Sequence, residues 1–464
     1  MGRTGRAATR GAGTVILAAA LFCCGQARAQ SSGAGPLDFL GSIFSGSKGS
    51  QGVAGTLAQP APASGAPQPW SGEDGASGHP LMTASAIREA AANFDHCIAA
   101  MWPDAARRNV SQESFTRFTA GLTPDLRIMD LLDSQPEFTK SVWDYLDILV
   151  NDNRLARGRE ILSQYKPQFD ATEKAYGVDR YVIAAIWGIE SNYSTQMGDR
   201  SVLQSTATLA CIGRRQKYFR DEFLSALEIL HRGDLRPEQM RGSWAGAFGP
   251  TQFMPTAFKR YAVDANGDGR RDVVDDPADL IASTANNLKK DGWQTGQTWG
   301  FEVVVPKDFN YILADKAKAM TMAQWEHLGV KRANGQPFPQ SSEKAYLLAP
   351  AGAEGPGFLM LQNFRVIMKY NPAEAYALAI GHFADRLRGG PPFAQPWPRQ
   401  ERELSRAERL ELQQLLAQRG FYRGTPDDQF GGETREALRG FQASIGAPAD
   451  GFASSEVLER LRGR

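Results

Sequence analysis

Hydrophobic residues fill the segment Tyr181–Ile189 with no charge among them, and the carboxylate of Glu190 follows directly. Asp179, just ahead of the segment, is a residue type that favours the N-cap of a helix, so the pattern predicts a helix that begins near Arg180. A helix that is apolar on all sides is buried in the protein rather than amphipathic. The sequence therefore predicts a buried helix with an acidic residue at its C-terminal end.

The position of Glu190 in this helix suggests chemistry. Helical spacing stacks its side chain over Ile186 and Trp187. Burial and the negative end of the helix dipole both disfavour the charged carboxylate and raise its pKa. Such a Glu remains protonated near neutral pH and can act as a general acid. The alternative is a Glu at a helix end that faces solvent or pairs with an arginine.

The rest of the chain is mainly helical by the same criterion. Hydrophobic residues recur with helical spacing over residues 82–177, 201–230 and 372–387. Residues 301–305 and 345–348 read instead as strands, each ended by a proline. Residues 404–464 contain two similar turn-and-helix halves, which predict a small three-helix module. The expected fold class is mainly α (α+β), with a helical core, a small β-containing subdomain and the C-terminal module.

Composition divides the chain further. It is 42% hydrophobic and 22% charged, with a net charge of +1, which gives no reason to expect nucleic-acid binding. Residues 30–80 are rich in Gly, Ser and Pro and predict a disordered tether. A second Gly/Pro-rich segment, 389–403, is predicted as a linker. The main folded unit is thus expected at 81–388.

Residues 1–29 have the features of a signal peptide. Arg3, Arg6 and Arg10 precede the apolar run Val15–Phe22, and Ala27–Ala29 forms an A-x-A cleavage site. Export into the periplasm is therefore expected. Cys23 and Cys24 raise the alternative of an outer-membrane lipoprotein, which is less expected because large residues precede them.

Cleavage would leave two cysteines, Cys97 and Cys211. In an exported protein, a single remaining pair predicts a disulfide. The alternative is two buried thiols that lie far apart.

Two loops carry polar groups of interest. The run Gly242–Pro255 interrupts the helical pattern, and its small residues let the backbone approach a ligand closely; Ser243 and Gln252 are neutral hydrogen-bonding groups within it. The second loop resembles an EF-hand calcium loop, with Gly269 at the sixth position. Its expected calcium ligands are Asp264, Asn266, Asp268, the carbonyl of Arg270, and a closing acid: Asp275, Asp276 or Asp279. No organic cofactor is expected.

Several separated stretches together resemble the lytic murein transglycosylases of the membrane-bound B type. The matching stretches are Trp187–Asn192, Ala207–Ala210, Arg214–Arg215, Gly242–Pro255, the Asp264 loop, Asn363–Phe364 and Lys369–Asn371. The resemblance spans about residues 83 to 388, and the C-terminal unit resembles a helical peptidoglycan-binding module. It implies a lysozyme-like core that cleaves the MurNAc–GlcNAc β-1,4 bond and leaves a 1,6-anhydro-MurNAc end.

The resemblance also implies roles for individual residues. Glu190 would be the sole catalytic acid and base, and Ser243 and Gln252 would line the cleft beside it. Basic and aromatic groups would contact the saccharide: Arg214, Arg215, Tyr145, Tyr370 and Tyr376. One departure is Asn287, where the family often has a tyrosine.

Ordinary glycosidases use two carboxylates, whereas this constellation offers one. A lone acid suffices if the sugar's own C6 hydroxyl is the nucleophile. The alternatives are a hydrolytic muramidase that uses Glu190 with Asp199 or a water, and a non-catalytic cell-wall-binding protein. The expected partners are peptidoglycan glycan strands and, as a further candidate, cell-wall synthesis or division proteins, with the chain itself a monomer.

Overall fold

The computed structural model describes residues 70–75, 78–132, 141–339, 342–428 and 430–463. The predicted signal peptide, with Cys23 and Cys24, and residues 30–69 of the predicted tether lie outside the described residues. None of the residues that the structure describes belongs to a helix long and apolar enough to cross a bilayer.

Helices make up most of the described chain. They are α1 (Ala84–Ala92), α2 (Phe94–Ala99), α3 (Trp102–Arg107), α4 (Gln112–Thr119), α5 (Arg127–Leu132), α6 (Val142–Leu149), α7 (Asp152–Gln164), α8 (Lys166–Tyr176), α9 (Arg180–Ser191), α10 (Val202–Cys211), α11 (Gln216–Arg232), α12 (Pro255–Tyr261), α13 (Pro277–Lys290), α14 (Met322–His327), α15 (Gln362–Tyr370), α16 (Glu374–Leu387), α17 (Arg406–Gln418), α18 (Gly432–Ser444) and α19 (Ser455–Arg462). The strands are β1 (Arg200–Ser201), β2 (Arg241–Gly242), β3 (Gly300–Val304), β4 (Met320–Thr321), β5 (Lys331–Arg332), β6 (Lys344–Leu348) and β7 (Gly357–Met360).

Helix α9 forms where the hydrophobic pattern predicts it. The side chain of Asp179 accepts a hydrogen bond from the backbone N–H of Tyr181, which caps the N-terminus. The helix ends at Ser191 because Asn192 adopts a left-handed conformation with φ 48°. The predicted start at Arg180 is confirmed, and every residue from Val182 to Ser191 is buried.

The predicted β-containing subdomain is an antiparallel sheet with the strand order β4-β6-β7-β3-β5. In its central pair, Gly300 lies opposite Met360 and Val303 opposite Gly357. One face of the sheet contributes side chains such as Tyr346 to the core that surrounds α9 and α16. The sheet thus supports the helices that carry the candidate site, and the expected fold class is confirmed.

A second helical core joins the N-terminal helices to α10 and α11. The disulfide between Cys97 and Cys211 crosses this core, with an S–S distance of 2.07 Å and a Cα–Cα distance of 6.0 Å. The predicted disulfide is confirmed, and it ties α2 to α10.

The end of the predicted tether contacts this second core. Trp70 packs against the core and lies 5.2 Å from the guanidinium of Arg88. The hydroxyl of Ser71 donates to Asp130 at 2.6 Å, and Asp74 accepts from the backbone N–H of Ala84 at 2.6 Å. These residues of the predicted tether thus contact the main unit, and the boundary at residue 80 stays a prediction. A low content of apolar residues does not prevent a few residues of a segment from binding specific partners on the main unit.

The predicted linker also packs onto the main unit. The ring of Phe393 lies 4.8 Å from that of Phe358, and Trp397 stacks on the same ring at 6.1 Å. The carboxylate of Glu302 accepts the backbone N–H of Ala394 and of Gln395, each at 2.8 Å. The linker residues 393–397 thus form part of the fold rather than a freely moving spacer.

The C-terminal module has its own hydrophobic core, formed by α17, α18 and α19. Its most buried members are Leu412, Leu416, Leu438, Phe441 and Leu458. Ser405 and Glu408 form a capping box that starts α17. The predicted three-helix module is confirmed.

Candidate active site

Glu190 is fully buried in the last turn of α9. Its Oε1 accepts a hydrogen bond from the hydroxyl of Tyr376 at 2.6 Å, whereas its Oε2 has no hydrogen-bond partner within the described chain. Burial raises the pKa of Glu190 to about 8, and the Tyr376 hydrogen bond lowers that pKa by a smaller amount. Glu190 therefore holds a proton near neutral pH. Because the Tyr376 proton occupies Oε1, Oε2 is the oxygen available to carry the proton of the Glu190 carboxyl.

Tyr376 differs from its predicted role. The resemblance implies a ring on which sugars stack, but Tyr376 lies in α16 with no exposed surface. Its hydroxyl donates to the Glu190 carboxyl instead. Burial and the neighbouring Glu190 raise the pKa of Tyr376 well above its usual value, so the phenol retains its proton. Tyr376 orients Glu190 and does not present a face to a saccharide.

The other two tyrosines predicted to stack on sugars, Tyr145 and Tyr370, differ in how exposed their rings are. Tyr145 lies in α6 and is only 3% exposed, so its ring does not offer a stacking face either. Tyr370 is partly exposed at the end of α15, and its hydroxyl donates to the carbonyl of Thr251 at 2.5 Å. For Tyr370 the stacking role stays a prediction.

The Gly242–Pro255 loop folds against the end of α9. The hydroxyl of Ser191 donates to the carbonyl of Pro250 at 2.6 Å, which joins the residue after Glu190 to the loop. The loop closes on itself through a bridge between Phe248 and Phe253. A side chain at Gly242 would place its Cβ 1.9 Å from the carbonyl oxygen of Ala247, so only glycine fits there. Gly242 thus allows the loop's own backbone to pack closely.

Ser243 and Gln252 are both buried within this loop. The Ser243 hydroxyl accepts from the backbone N–H of Ala247 at 3.1 Å. The Gln252 amide nitrogen donates to the carbonyls of Met197 and Gly249, whereas its Oε1 has no hydrogen-bond partner within the described chain. Because buried polar atoms are normally paired, the unpartnered oxygens of Gln252 and Glu190 point to a ligand that supplies hydrogen-bonding groups.

The site combines two groups. The buried, protonated carboxyl of Glu190, which Tyr376 fixes, can donate a proton to a leaving oxygen. The unpartnered amide oxygen of Gln252 can accept a hydrogen bond from a hydroxyl group. Residues 93–385 match the family described as the transglycosylase SLT domain, and residues 405–461 match the putative peptidoglycan binding domain. The chain belongs to the transglycosylase SLT family.

Three relatives show how far this similarity extends. The membrane-bound lytic murein transglycosylase B of Escherichia coli is 29% identical over 270 residues, which cover 54% of this chain and 72% of the relative. The crystal structure of SltB3 from Pseudomonas aeruginosa in complex with NAG-anhNAM-pentapeptide is 44% identical with a TM-score of 0.77, and covers 80% of this chain and 99% of that chain. The Escherichia coli lytic transglycosylase Slt35 in complex with calcium is 25% identical with a TM-score of 0.54, over 64% of this chain and 92% of that chain. The chain is a lytic transglycosylase.

The arginine pair of this transglycosylase lies at the junction of α10 and α11. Arg214 donates to the carbonyl of Leu132 at the end of α5, at 2.7 Å. The guanidinium of Arg215 lies 4.7 Å from the ring centroid of Tyr218. These contacts give both residues a structural role, and their contact with a saccharide stays a prediction.

The Asp264 loop adopts a turn that suits oxygen ligands. The Asp264 carboxylate accepts the backbone N–H of Gly267 at 2.6 Å and of Gly269 at 2.8 Å. Both glycines have left-handed φ angles, 81° and 89°. Asp268 accepts the backbone N–H of Arg270 at 2.8 Å. The loop is thus closed around the predicted donor residues.

The three candidate closing acids have different partners. Asp275 accepts from Gln239 at 2.7 Å and pairs with Arg236, so the structure does not place it among the loop donors. Asp276 accepts from the amide of Asn266 at 2.8 Å, inside the loop. Within the described chain, no three His, Cys, Asp or Glu residues are grouped closely enough to hold a metal ion.

The predicted closing acid Asp279 is fully buried and accepts the backbone N–H of Ala265 and of Asp272, each at 2.7 Å. It therefore joins the two ends of the loop.

Asp199, the alternative second carboxylate, is exposed, and its carbonyl accepts from Arg241. Asp199 does not contribute to the pKa shift of Glu190.

Sequence reasoning missed two residues of the site. Ser191 connects α9 to the glycine-rich loop, and Thr251 supplies the carbonyl that fixes Tyr370. It also missed the bond from Tyr376 to Glu190. A signal for that bond was present, because a tyrosine on the same helical face as Ile380 and Phe383 would bury its hydroxyl and require a partner.

Proposed function

We propose that this transglycosylase cleaves the β-1,4 bond between MurNAc and GlcNAc in peptidoglycan and leaves a 1,6-anhydro-MurNAc end. The observation that carries the proposal is the buried Glu190, whose Oε2 is free to hold the proton while Tyr376 holds Oε1. The SltB3 complex with NAG-anhNAM-pentapeptide supports this choice of substrate and product.

The proposed reaction uses one carboxyl group twice. Glu190 Oε2 donates its proton to the glycosidic oxygen as the bond from that oxygen to C1 of MurNAc breaks. The resulting carboxylate accepts the proton of the MurNAc C6 hydroxyl, whose oxygen bonds to C1 and closes the anhydro ring. Glu190 is then protonated again, and no water is consumed. The Tyr376 hydrogen bond stabilises the carboxylate between the two steps, because a hydrogen bond to the ionised form is stronger than one to the neutral form.

Mass analysis of the products from purified sacculi tests this proposal. Anhydro ends lack one water relative to hydrolysed ends, so the products should be anhydro-muropeptides. Products with the full mass of a reducing end would indicate the hydrolytic muramidase instead. The absence of any product from a folded protein would favour a non-catalytic cell-wall-binding protein.

We expect the C-terminal module to bind peptidoglycan without contributing a group that touches the reacting atoms. Its core is complete in residues 404–461, so the module can be removed as a unit. Deletion of residues 404–464 should lower the fraction of protein that sediments with sacculi. The matched control is Glu190→Gln in the full chain, which should sediment like the wild type. Equal sedimentation of the deletion variant and the wild type would contradict the role of the module.

We propose that calcium binds the Asp264 loop through Asp264, Asn266, Asp268 and the carbonyl of Arg270, with Asp276 or Asp279 as the closing acid. The Escherichia coli Slt35 complex with calcium supports the choice of metal. When bound, calcium would neutralise the carboxylates of this loop and so stabilise the fold.

A melting experiment tests the calcium proposal. A metal that binds only the folded state stabilises it by about 2.7 kcal/mol at a hundredfold excess over its Kd, so Tm should rise by several degrees. The protein is treated with EDTA, freed of the chelator and titrated with calcium. Asp264→Asn with Asp268→Asn is the matched variant and should show no calcium-dependent rise. A wild-type Tm that does not change with calcium would refute the proposal.

The periplasm is the proposed location, since the substrate lies there and residues 1–29 read as a signal peptide. Lipid attachment at Cys23 or Cys24 is the less favoured alternative. We propose that the chain acts as a monomer on glycan strands, and cell-wall synthesis or division proteins are the candidates for further partners.

A further inference from the structure

The C-terminal module and the main unit meet at a defined set of contacts. Asp450, in the turn that follows α18, accepts the backbone N–H of Ala353 at 2.8 Å. Arg439 in α18 donates to the carbonyl of Ala314 at 3.1 Å. These bonds join the module to two separate loops around the sheet.

The fit around Asp450 is close. A Cβ at Gly352 would lie 2.3 Å from Asp450 Oδ2 and 2.7 Å from the Cβ of Phe452. The other oxygen of Asp450 accepts from Gln442 and from the backbone N–H of Phe452, so the module itself fixes the Asp450 side chain. The main unit thus has a notch at Gly352 that a preformed carboxylate of the module fills.

The contacts continue to α16, the helix whose Tyr376 donates a hydrogen bond to Glu190. Arg435, one turn before Arg439 in α18, lies 3.7 Å from the carboxylate of Glu374. Lys316 pairs with the same carboxylate at 2.8 Å. Glu374 is the first residue of α16, two residues before Tyr376. Two cations, one from each unit, therefore converge at the N-terminus of the helix whose tyrosine orients Glu190.

We propose that Ala314, Lys316, Gly352, Ala353 and Glu374 form an intramolecular docking surface for the C-terminal module, and that docking helps to position α16. Arg435 and Glu374 are positioning residues, since they act through Tyr376. The docking part is independent of the proposed function, whereas the positioning part rests on it.

Two substitutions in the full chain break the docking from opposite sides. Gly352→Ala places a methyl group against Asp450. Asp450→Asn keeps an oxygen for Gln442 and Phe452 but turns an amide N–H₂ toward the N–H of Ala353, which then has no acceptor. The matched control is Gly335→Ala. Gly335 has a similar left-handed φ of 72°, against 64° for Gly352, and no atom lies within 4 Å of the position that its new methyl group would take.

Small-angle X-ray scattering and limited proteolysis between residues 389 and 403 report docking without any substrate. Gly352→Ala and Asp450→Asn should increase the radius of gyration and the rate of linker cleavage, whereas Gly335→Ala should match the wild type. Wild-type scattering and cleavage in both docking variants would overturn the proposal.

Turnover of a short soluble glycan reports positioning. We expect the two docking variants to lose about two- to fivefold in kcat with little change in KM, the effect expected of weak, partly exposed contacts. In the double variant Arg435→Gln/Glu374→Gln, the loss of kcat in free-energy terms should be smaller than the sum of the two single losses. If the docking variants release the module and still have the wild-type kcat, the positioning role is refuted. If the wild type itself shows no turnover, the proposed function fails, and the scattering result still decides docking.

Discussion

Glu190→Gln should remove turnover while the fold and the binding of glycan persist. The amide is nearly isosteric with the carboxyl, and its oxygen can still accept the hydrogen bond from Tyr376. However, it can neither donate a carboxyl proton to the leaving oxygen nor accept one from the C6 hydroxyl. Since one helper in acid–base catalysis typically contributes ~10²–10⁴-fold, loss of both steps should exceed that range. The assay is the release of anhydro-muropeptides.

Stability as a function of pH provides an independent check on Glu190. Its pKa is raised from 4.5 to about 8 in the folded protein. The protonated carboxyl therefore contributes stability that is fully present below pH 4.5 and is lost as the pH rises through about 8, because the unfolded chain ionises first. The amide of the Glu190→Gln variant does not titrate, so the variant should be the more stable protein at pH 8, by an amount on the order of 3–5 kcal/mol.

Urea unfolding from pH 4 to pH 9 measures this difference. The two proteins should converge in stability at the acidic end and diverge as the pH rises. Parallel stability curves would show that Glu190 is not buried as a neutral acid. A folded Glu190→Gln protein with nearly wild-type turnover would place the catalytic acid elsewhere, and Asp199 would be the next residue to replace.

Removal of the disulfide should cause the largest loss of stability. Cys97 and Cys211 are 114 residues apart, so the cross-link restricts a long loop of the unfolded chain. Loop-closure entropy for about 100 residues corresponds to roughly 4.7 kcal/mol. Replacement of both cysteines by alanine should lower the free energy of unfolding by about 4–5 kcal/mol. Alanine avoids placing a new polar group at these mostly buried positions.

Denaturant unfolding of the oxidised wild type, the reduced wild type and the double variant tests this expectation. The reduced protein and the double variant should unfold at similar, lower denaturant concentrations. Thiol labelling of the unreduced, denatured wild type should detect no free thiol in the mature chain. A loss below about 1 kcal/mol would mean that the cross-link does not restrict the unfolded chain as proposed.

The structure supports the local parts of the sequence interpretation. Asp179 and the apolar run after it define α9 because an N-cap and continuous burial are local properties of one helix. The three helices of the C-terminal module follow from short-range periodicity and capping. The Cys97–Cys211 pair was predictable because no other cysteine follows the predicted signal peptide.

Contacts between distant segments could not be predicted from the sequence. Tyr376 is 186 residues from Glu190, and periodicity indicated only that its helical face is buried. Which polar group satisfies a buried hydroxyl depends on how α16 packs against α9, and many partners would satisfy the same pattern. Asp275 fits the EF-hand spacing, yet Gln239 and Arg236 compete for its carboxylate across the fold.

Docking of polar segments was likewise decided by the tertiary structure. Residues 70–75 and 393–397 have the composition of tethers, but Trp70, Phe393 and Trp397 find apolar surfaces formed by other elements. The sequence by itself determined the buried acidic helix, the disulfide and the C-terminal module, since each depends on local pattern or on the cysteine count. Only the tertiary structure decided which groups contact Glu190 and which surfaces residues 70–75 and 393–397 pack against. The reason is that hydrogen-bond partners and docking surfaces exist only after distant elements have packed.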